Sequence, residues 1–215
     1  STYISDSEIS KFNQSDSLIT AKEGHFFRNY ARAFKVYQNT DGWFNPAVMP
    51  LVNYWGFGYQ TKDIVQQIDS TAVERLLQLV QFDAVNVQEK GDSMILSKTV
   101  EGLELDFSAI AKGDAVDEVG RLLESKGIMN YYVEIGGEIR ARGHTASGYP
   151  WRSGIRQPQE GTAAQSVQVG IQLEDLSVAT SGNYENYLED KTTGQKYAHT
   201  INPKTGYPEK NSLLS

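Results

Sequence analysis

Between residues 82 and 135 the hydrophobic spacing of this 215-residue chain changes character repeatedly, and that alternation constrains the fold more than any bulk property. Residues 82–87 and 93–97 alternate about Lys90-Gly91-Asp92, as the two arms of a β-hairpin do. After the apolar Leu103 and Leu105 the chain turns at Ser108 into a segment of helical period, which continues to Ser125 and stops near Gly127. Residues 131–135 then read as a strand, and 167–173 repeat the alternating signal. Upstream, Phe26, Phe27, Tyr30, Ala31, Phe34 and Val36 recur at helical spacing before an Asp41-Gly42 turn, and 63–68 with 72–80 predict a helical pair. Hairpins mixed with helices, without regular β-α-β units, predict an α+β fold. No internal repeat or low-complexity linker divides the chain, so the expectation is one domain, or one domain with a small appendage.

Composition narrows the partners. A 39% hydrophobic content supplies a sizeable core, while the formal charge of −7 gives no general attraction to nucleic acid or to an anionic membrane. Any anionic ligand must therefore be held by local geometry. The absence of cysteine excludes disulfides and thiolate metal sites. The apolar runs are far shorter than the roughly 20 residues of a membrane-spanning helix. The opening segment, residues 1–17, is rich in serine and aspartate and reads as a mobile loop over a ligand.

Three short segments carry chemistry. Residues 106–117, DFSAIAKGDAVD, place a carboxylate, a hydroxyl, a lysine and a glycine at the mouth of the predicted helix. Unpaired N–H groups of the first helical turn favour an anion, Lys112 offers a point charge and Asp106 is a candidate metal ligand. The same residues also suit an ordinary capped helix with Lys112 in water. Gly136-Gly137 follows the predicted strand and leads into Glu138, giving either a tight hairpin or a turn where backbone approaches a ligand. It is not a dinucleotide fingerprint, because G-x-G-x-x-G between strand and helix is missing. His199, one of three histidines, precedes Asn202-Pro203-Lys204-Thr205-Gly206, a turn able to hold an imidazole at a cleft. His25 and His144 receive no role. Thr180-Ser181-Gly182 carries two hydroxyls without the Asp and His of a hydrolase triad.

These segments belong to a longer series that resembles the ApbE family, the FAD:protein FMN transferases. The series runs from residues 1–13 (STYISDSEISKFN) through 41–46 (DGWFNP), 51–58 (LVNYWGFG), 106–117, 134–139 (EIGGEI) and 179–184 (ATSGNY) to 197–206 (YAHTINPKTG), in family order. The resemblance implies a mixed or antiparallel sheet core with packed helices. It also implies a partial domain over 1–215, because family members usually begin with further strands and continue well past Ser215.

What the resemblance implies about chemistry is specific. FMN is moved from FAD to a threonine or serine hydroxyl of an acceptor flavoprotein, and AMP is released. FAD contacts fall on Tyr3 of the opening loop, on Trp43, Phe44 and Asn45, on Asp106 and Lys112, on the Gly136-Gly137 turn, and on Thr200 and Ile201. His199 belongs to the active-site region. Magnesium sits on the backbone carbonyl matching Ala109, with its remaining family ligands beyond Ser215. Two positions depart from the family pattern: Asn45 and Asn202 stand where aspartate is usual, keeping hydrogen bonds but losing charge. Glu138 is expected as a structural acceptor, and Trp55 and Phe57 as core. Members of the family are commonly exported and lipid-anchored, which implies an extracytoplasmic location. A magnesium-dependent FAD pyrophosphatase and a flavin-binding lipoprotein without chemistry are the alternatives.

Overall fold

Aromatic and aliphatic side chains at the predicted spacings organise the chain into short helices and antiparallel strands. The computed structural model describes residues 1–59, 68–157, 167–182, 187–189 and 196–209. In chain order the elements are α1 Glu8–Gln14, β1 Ser17–Ala21, α2 His25–Asn39, α3 Met49–Tyr54, α4 Ser70–Leu77, β2 Val85–Lys90 and β3 Ser93–Lys98. There follow α5 Ser108–Ser125, β4 Tyr131–Ile135, β5 Glu138–Arg142, β6 Trp151–Arg156, β7 Val167–Leu173, β8 Ser177–Val178, β9 Tyr187–Glu189 and β10 Lys196–Ala198. Every strand pair is antiparallel, and the fold is α+β. The expected helix at 63–68 falls almost wholly outside the described residues.

The chain divides into two compact units, Ser1–Ala109 with Tyr187–Lys210, and Ile110–Asn186 with Asn211–Ser215. No linker in the sequence marks that division. In the first unit a sheet of order β1-β3-β2 is built on the expected hairpin, whose turn uses Gly91 at φ +60°. Residues 82–84 form a short 3-10 turn instead of extending β2. One face of α2 buries Phe26, Tyr30 and Ala33. Phe26 lies against Phe12 and Phe107, and Tyr30 meets Phe82 edge-on. Burial pushes the Tyr30 phenol up to about 12, so it is neutral across the physiological range.

The opening segment departs from its expectation. Residues 8–14 form α1, capped by Ser7, whose hydroxyl accepts from the Ser10 N–H, and Ile9 and Phe12 enter the core. The serine- and aspartate-rich composition hid an i, i+3 apolar pair, and burial of Phe12 stabilises a helix too short to stand by propensity. Asn13 completes the docking: its amide donates to the Leu105 carbonyl (2.9 Å) and its carbonyl accepts from the Leu105 N–H (2.8 Å). One side chain thus substitutes for a β-ladder partner along the extended 103–107 segment.

A second cluster of the first unit gathers Leu51, Trp55, Val73, Val80 and Ile201. Trp55 is core, as expected, and Phe57 packs against it partly buried. In the second unit α5 runs unbroken to Ser125. It ends where the Gly127 and Ile128 N–H groups return to the carbonyls of Glu124 and Leu123, with Gly127 at φ +77°. The sheet β4-β5-β8 and the pair β6-β7 bury Ile139, Ala141 and Leu173. Arg140 ties the hairpin to the helix, bonding Asp117 at 2.9 Å, Glu124 at 3.0 Å and the Tyr131 hydroxyl at 3.0 Å.

Candidate functional site

His199 lies one residue past β10, half-buried, with its ring edge-on to Phe57 (centroids 6.3 Å apart). The turn after it is rigidly built. Ile201 pairs with Pro208 across an isolated bridge, and the Asn202 side-chain carbonyl accepts from the Lys204 and Thr205 N–H groups at 2.8 and 3.2 Å. Asn202 Nδ2 donates to the Glu209 carboxylate. At the end of the turn the Trp55 indole N–H donates to the Gly206 carbonyl (2.8 Å), and a side chain at Gly206 would strike Val73 at 2.8 Å. The histidine therefore stands on a platform fixed to the Leu51–Trp55–Val73 cluster. Ile201 is buried in that cluster, whereas Thr200 is exposed.

The Trp43–Asn45 segment leaves a turn in which Asp41 and Gly42 both have positive φ, +48° and +74°. Lys204 reaches from the histidine turn to donate to the Asp41 carbonyl at 2.7 Å. These two sequence-selected segments are thereby joined within the first unit across 163 positions, by a lysine that sequence reasoning gave no role. Trp43 is 61% exposed and Tyr3 70%, so both offer free aromatic faces. The Asn45 amide is used internally: its oxygen accepts from the Ala47 N–H (2.9 Å) and its nitrogen donates to the Val80 carbonyl (3.3 Å). Any ligand contact from the Asn45 side chain would have to share those bonds.

At the mouth of α5, Asp106 accepts from the Ser108 N–H (2.9 Å) and from the Ser108 hydroxyl (2.5 Å), while its own N–H donates to the Pro46 carbonyl. The carboxylate and hydroxyl are thus spent on each other in the turn that leads into α5. Ala109 is exposed in the first turn. Further along, Lys112 does not extend into water alone. It donates to the Gly136 carbonyl at 3.0 Å and lies 2.7 Å from the Glu138 carboxylate. Gly136 and Gly137, at φ +56° and +94°, close the β4–β5 hairpin as a two-residue turn in which both residues must occupy the left-handed region. The hairpin reading is therefore correct for the backbone, and the Gly137 position has nothing within 4 Å of a Cβ. Thr180 and Ser181 are exposed, and residues 183–184 of the ATSGNY match lie outside the described residues.

The fold defines an antiparallel α+β class of protein, with a buttressed histidine turn in its first unit and, in its second, a glycine turn gripped by a lysine of α5. Its family follows from the whole chain: the ApbE family profile matches residues 1–215, and the chain belongs to the ApbE family. It is 38% identical over 217 residues to the FAD:protein FMN transferase of Haemophilus influenzae, covering all of this chain and 62% of that protein. Among solved structures, a flavin transferase ApbE from Vibrio cholerae is 37% identical at a TM-score of 0.78, covering 98% of this chain and 64% of that one. The apo Pseudomonas stutzeri flavinyl transferase ApbE is 33% identical at 0.80, covering 98% and 62%. The chain thus spans about three fifths of the length of these relatives.

Proposed function

We propose that the protein transfers the FMN part of FAD to a threonine or serine hydroxyl of an acceptor flavoprotein and releases AMP. The observation that carries this reading is the end-to-end likeness, in sequence and in fold, to proteins named flavin transferases. In the reaction the acceptor oxygen attacks the FMN-side phosphorus of the pyrophosphate, and the bond to the AMP phosphate breaks. The hydroxyl proton passes to a base. His199 is proposed as that base, since imidazole exchanges protons near neutral pH and this one is held by a fixed turn.

Proposed flavin contacts in the first unit are Tyr3, Trp43, Phe44, Asn45, Asp106, Thr200 and Ile201. In the second they are the Gly136-Gly137 turn and, through the turn that it holds, Lys112. Exposed rings at Tyr3 and Trp43 suit the flat face of an isoalloxazine or adenine. Magnesium is proposed as the ion of the complete protein, where it would offset pyrophosphate charge. The Ala109 carbonyl alone does not make its site, because the ion takes about six oxygens, and no step above is routed through it. We further propose that the protein works outside the cytoplasmic membrane on a lipid anchor. Among the described residues no helix is long and apolar enough to cross a membrane, and cell fractionation tests the location.

Incubating the full-length protein with FAD, magnesium and candidate acceptors, then weighing the products, tests the function. Addition of an FMN phosphoester to an acceptor threonine or serine is the expected result. Free FMN and AMP with an unmodified acceptor would make the protein an FAD pyrophosphatase. Undiminished FAD would make it a binding protein.

A further inference from the structure

The Glu138 side chain is only 14% exposed, and its Oε2 is closed off from solvent. The cation beside it is Lys112, whose Nζ lies 2.7 Å from that oxygen, an ion pair by distance whose angle does not make a hydrogen bond. Taking a carboxylate out of water without a partner costs several kcal/mol, so this ion pair is a condition for burying Glu138 at all. The same Nζ donates to the Gly136 carbonyl (3.0 Å), and the lysine stem runs along the turn, with its Cδ 3.1 Å from where a Gly136 Cβ would stand. That carbonyl belongs to the central peptide of the turn, outside the β4–β5 ladder, whose last pair is Ile135 with Glu138. A planar trans peptide points its C=O and N–H in opposite directions. Fixing the Gly136 carbonyl on Lys112 therefore aims the Gly137 N–H away from the lysine, at an exposed residue whose Cβ position also has no atom within 4 Å.

We infer that Lys112 and Glu138 are positioning residues that lock the Gly136–Gly137 peptide, so that the group presented to the flavin nucleotide is the Gly137 N–H and not the Lys112 ammonium. The inference rests on the flavin reading of the site. It reassigns the lysine's charge: paired with Glu138 it is locally neutralised, and releasing it to a phosphate would strand a buried carboxylate. The two roles for Lys112 predict opposite signs for one substitution. If the lysine bound the pyrophosphate directly, Glu138→Gln would free it and tighten FAD. If the pair positions the turn, Glu138→Gln loosens Lys112 and weakens FAD.

The test uses the full-length protein and Glu138→Gln, Lys112→Met, the double variant and Lys112→Arg, titrated with FAD and riboflavin. The first two are each expected to weaken FAD about tenfold, the size of one lost charge-assisted hydrogen bond, with no further loss in the double variant. Lys112→Arg, which can keep the bond to Gly136 and the charge beside Glu138, should retain most of the affinity. The amide resonance of Gly137 in the ligand-free protein should shift and exchange faster in the first two variants, while circular dichroism verifies that they fold. Tighter or unchanged FAD binding by Glu138→Gln overturns the inference. Wild-type protein that binds no FAD would instead remove the flavin reading, and the Gly137 amide then decides alone: an unmoved resonance in both variants overturns the lock.

Discussion

At the scale of single residues, Asn45 and Asn202 each use both ends of the side-chain amide. Asn202 both accepts, from Lys204 and Thr205, and donates, to Glu209. An aspartate could keep the two acceptor bonds but would set one carboxylate against another. Asn202→Asp should therefore destabilise the protein by about 1–3 kcal/mol at neutral pH. Urea unfolding of Asn202→Asp, Glu209→Gln and the double variant measures it; a deficit undiminished when Glu209→Gln removes the facing charge would trace the loss to turn geometry and not to charge. Asn45 was legible as a site residue only by resemblance, because nothing local in DGWFNP says that its amide is already bonded to Ala47 and Val80.

At the scale of elements, what could be read from sequence was what neighbouring residues decide. The β2–β3 hairpin, the β4–β5 turn and the α5 stop follow from alternation and from glycines that take positive φ. What could not be read depends on partners far along the chain: Asn13 completing Leu105, Lys204 holding Asp41, and the Arg140 cluster joining β5 to α5. Hydrogen bonds from Tyr131 and Arg142 hold the Glu124 carboxyl of that cluster below its ordinary value. Gly120 lies inside the cluster. Placed in isolation, an alanine there would favour the helix by about 1 kcal/mol. In this packing its Cβ would stand 2.9 Å from both Arg140 Nε and the Tyr131 hydroxyl, groups fixed by their other bonds. Gly120→Ala should thus lower stability by a net 1–3 kcal/mol or about that. The penalty should fall in an Arg140→Ala background, since neighbours sharing a partner are not additive. A thermal-unfolding double-mutant cycle gives the coupling, and a stabilising Gly120→Ala would mean that the cluster moves aside freely.

At the scale of the whole molecule, family membership is secured by order and extent more than by any one motif, for each short motif also has an ordinary structural explanation. The glycine turn is a hairpin, the Asp106–Ser108 junction is a turn into a helix, and His199 stands against a phenyl ring. Chemistry must therefore be tested by a change that leaves these structures standing. His199→Asn keeps a polar side chain of similar reach, and Asn202, Trp55 and Gly206 build the platform beneath it. Under the proposed transferase reading, turnover in the full-length protein should fall about 10²–10⁴-fold, the usual size of a general acid–base contribution. FAD affinity and melting temperature should stay close to wild type. The fall should appear in kcat at saturating FAD and acceptor, because a base acts on the proton lost in the transition state and adds little to ground-state binding. A rate within a few-fold of wild type would move the base elsewhere in the protein. A simultaneous loss of melting temperature and FAD affinity would instead make His199 a strut of the turn, held in place by Phe57.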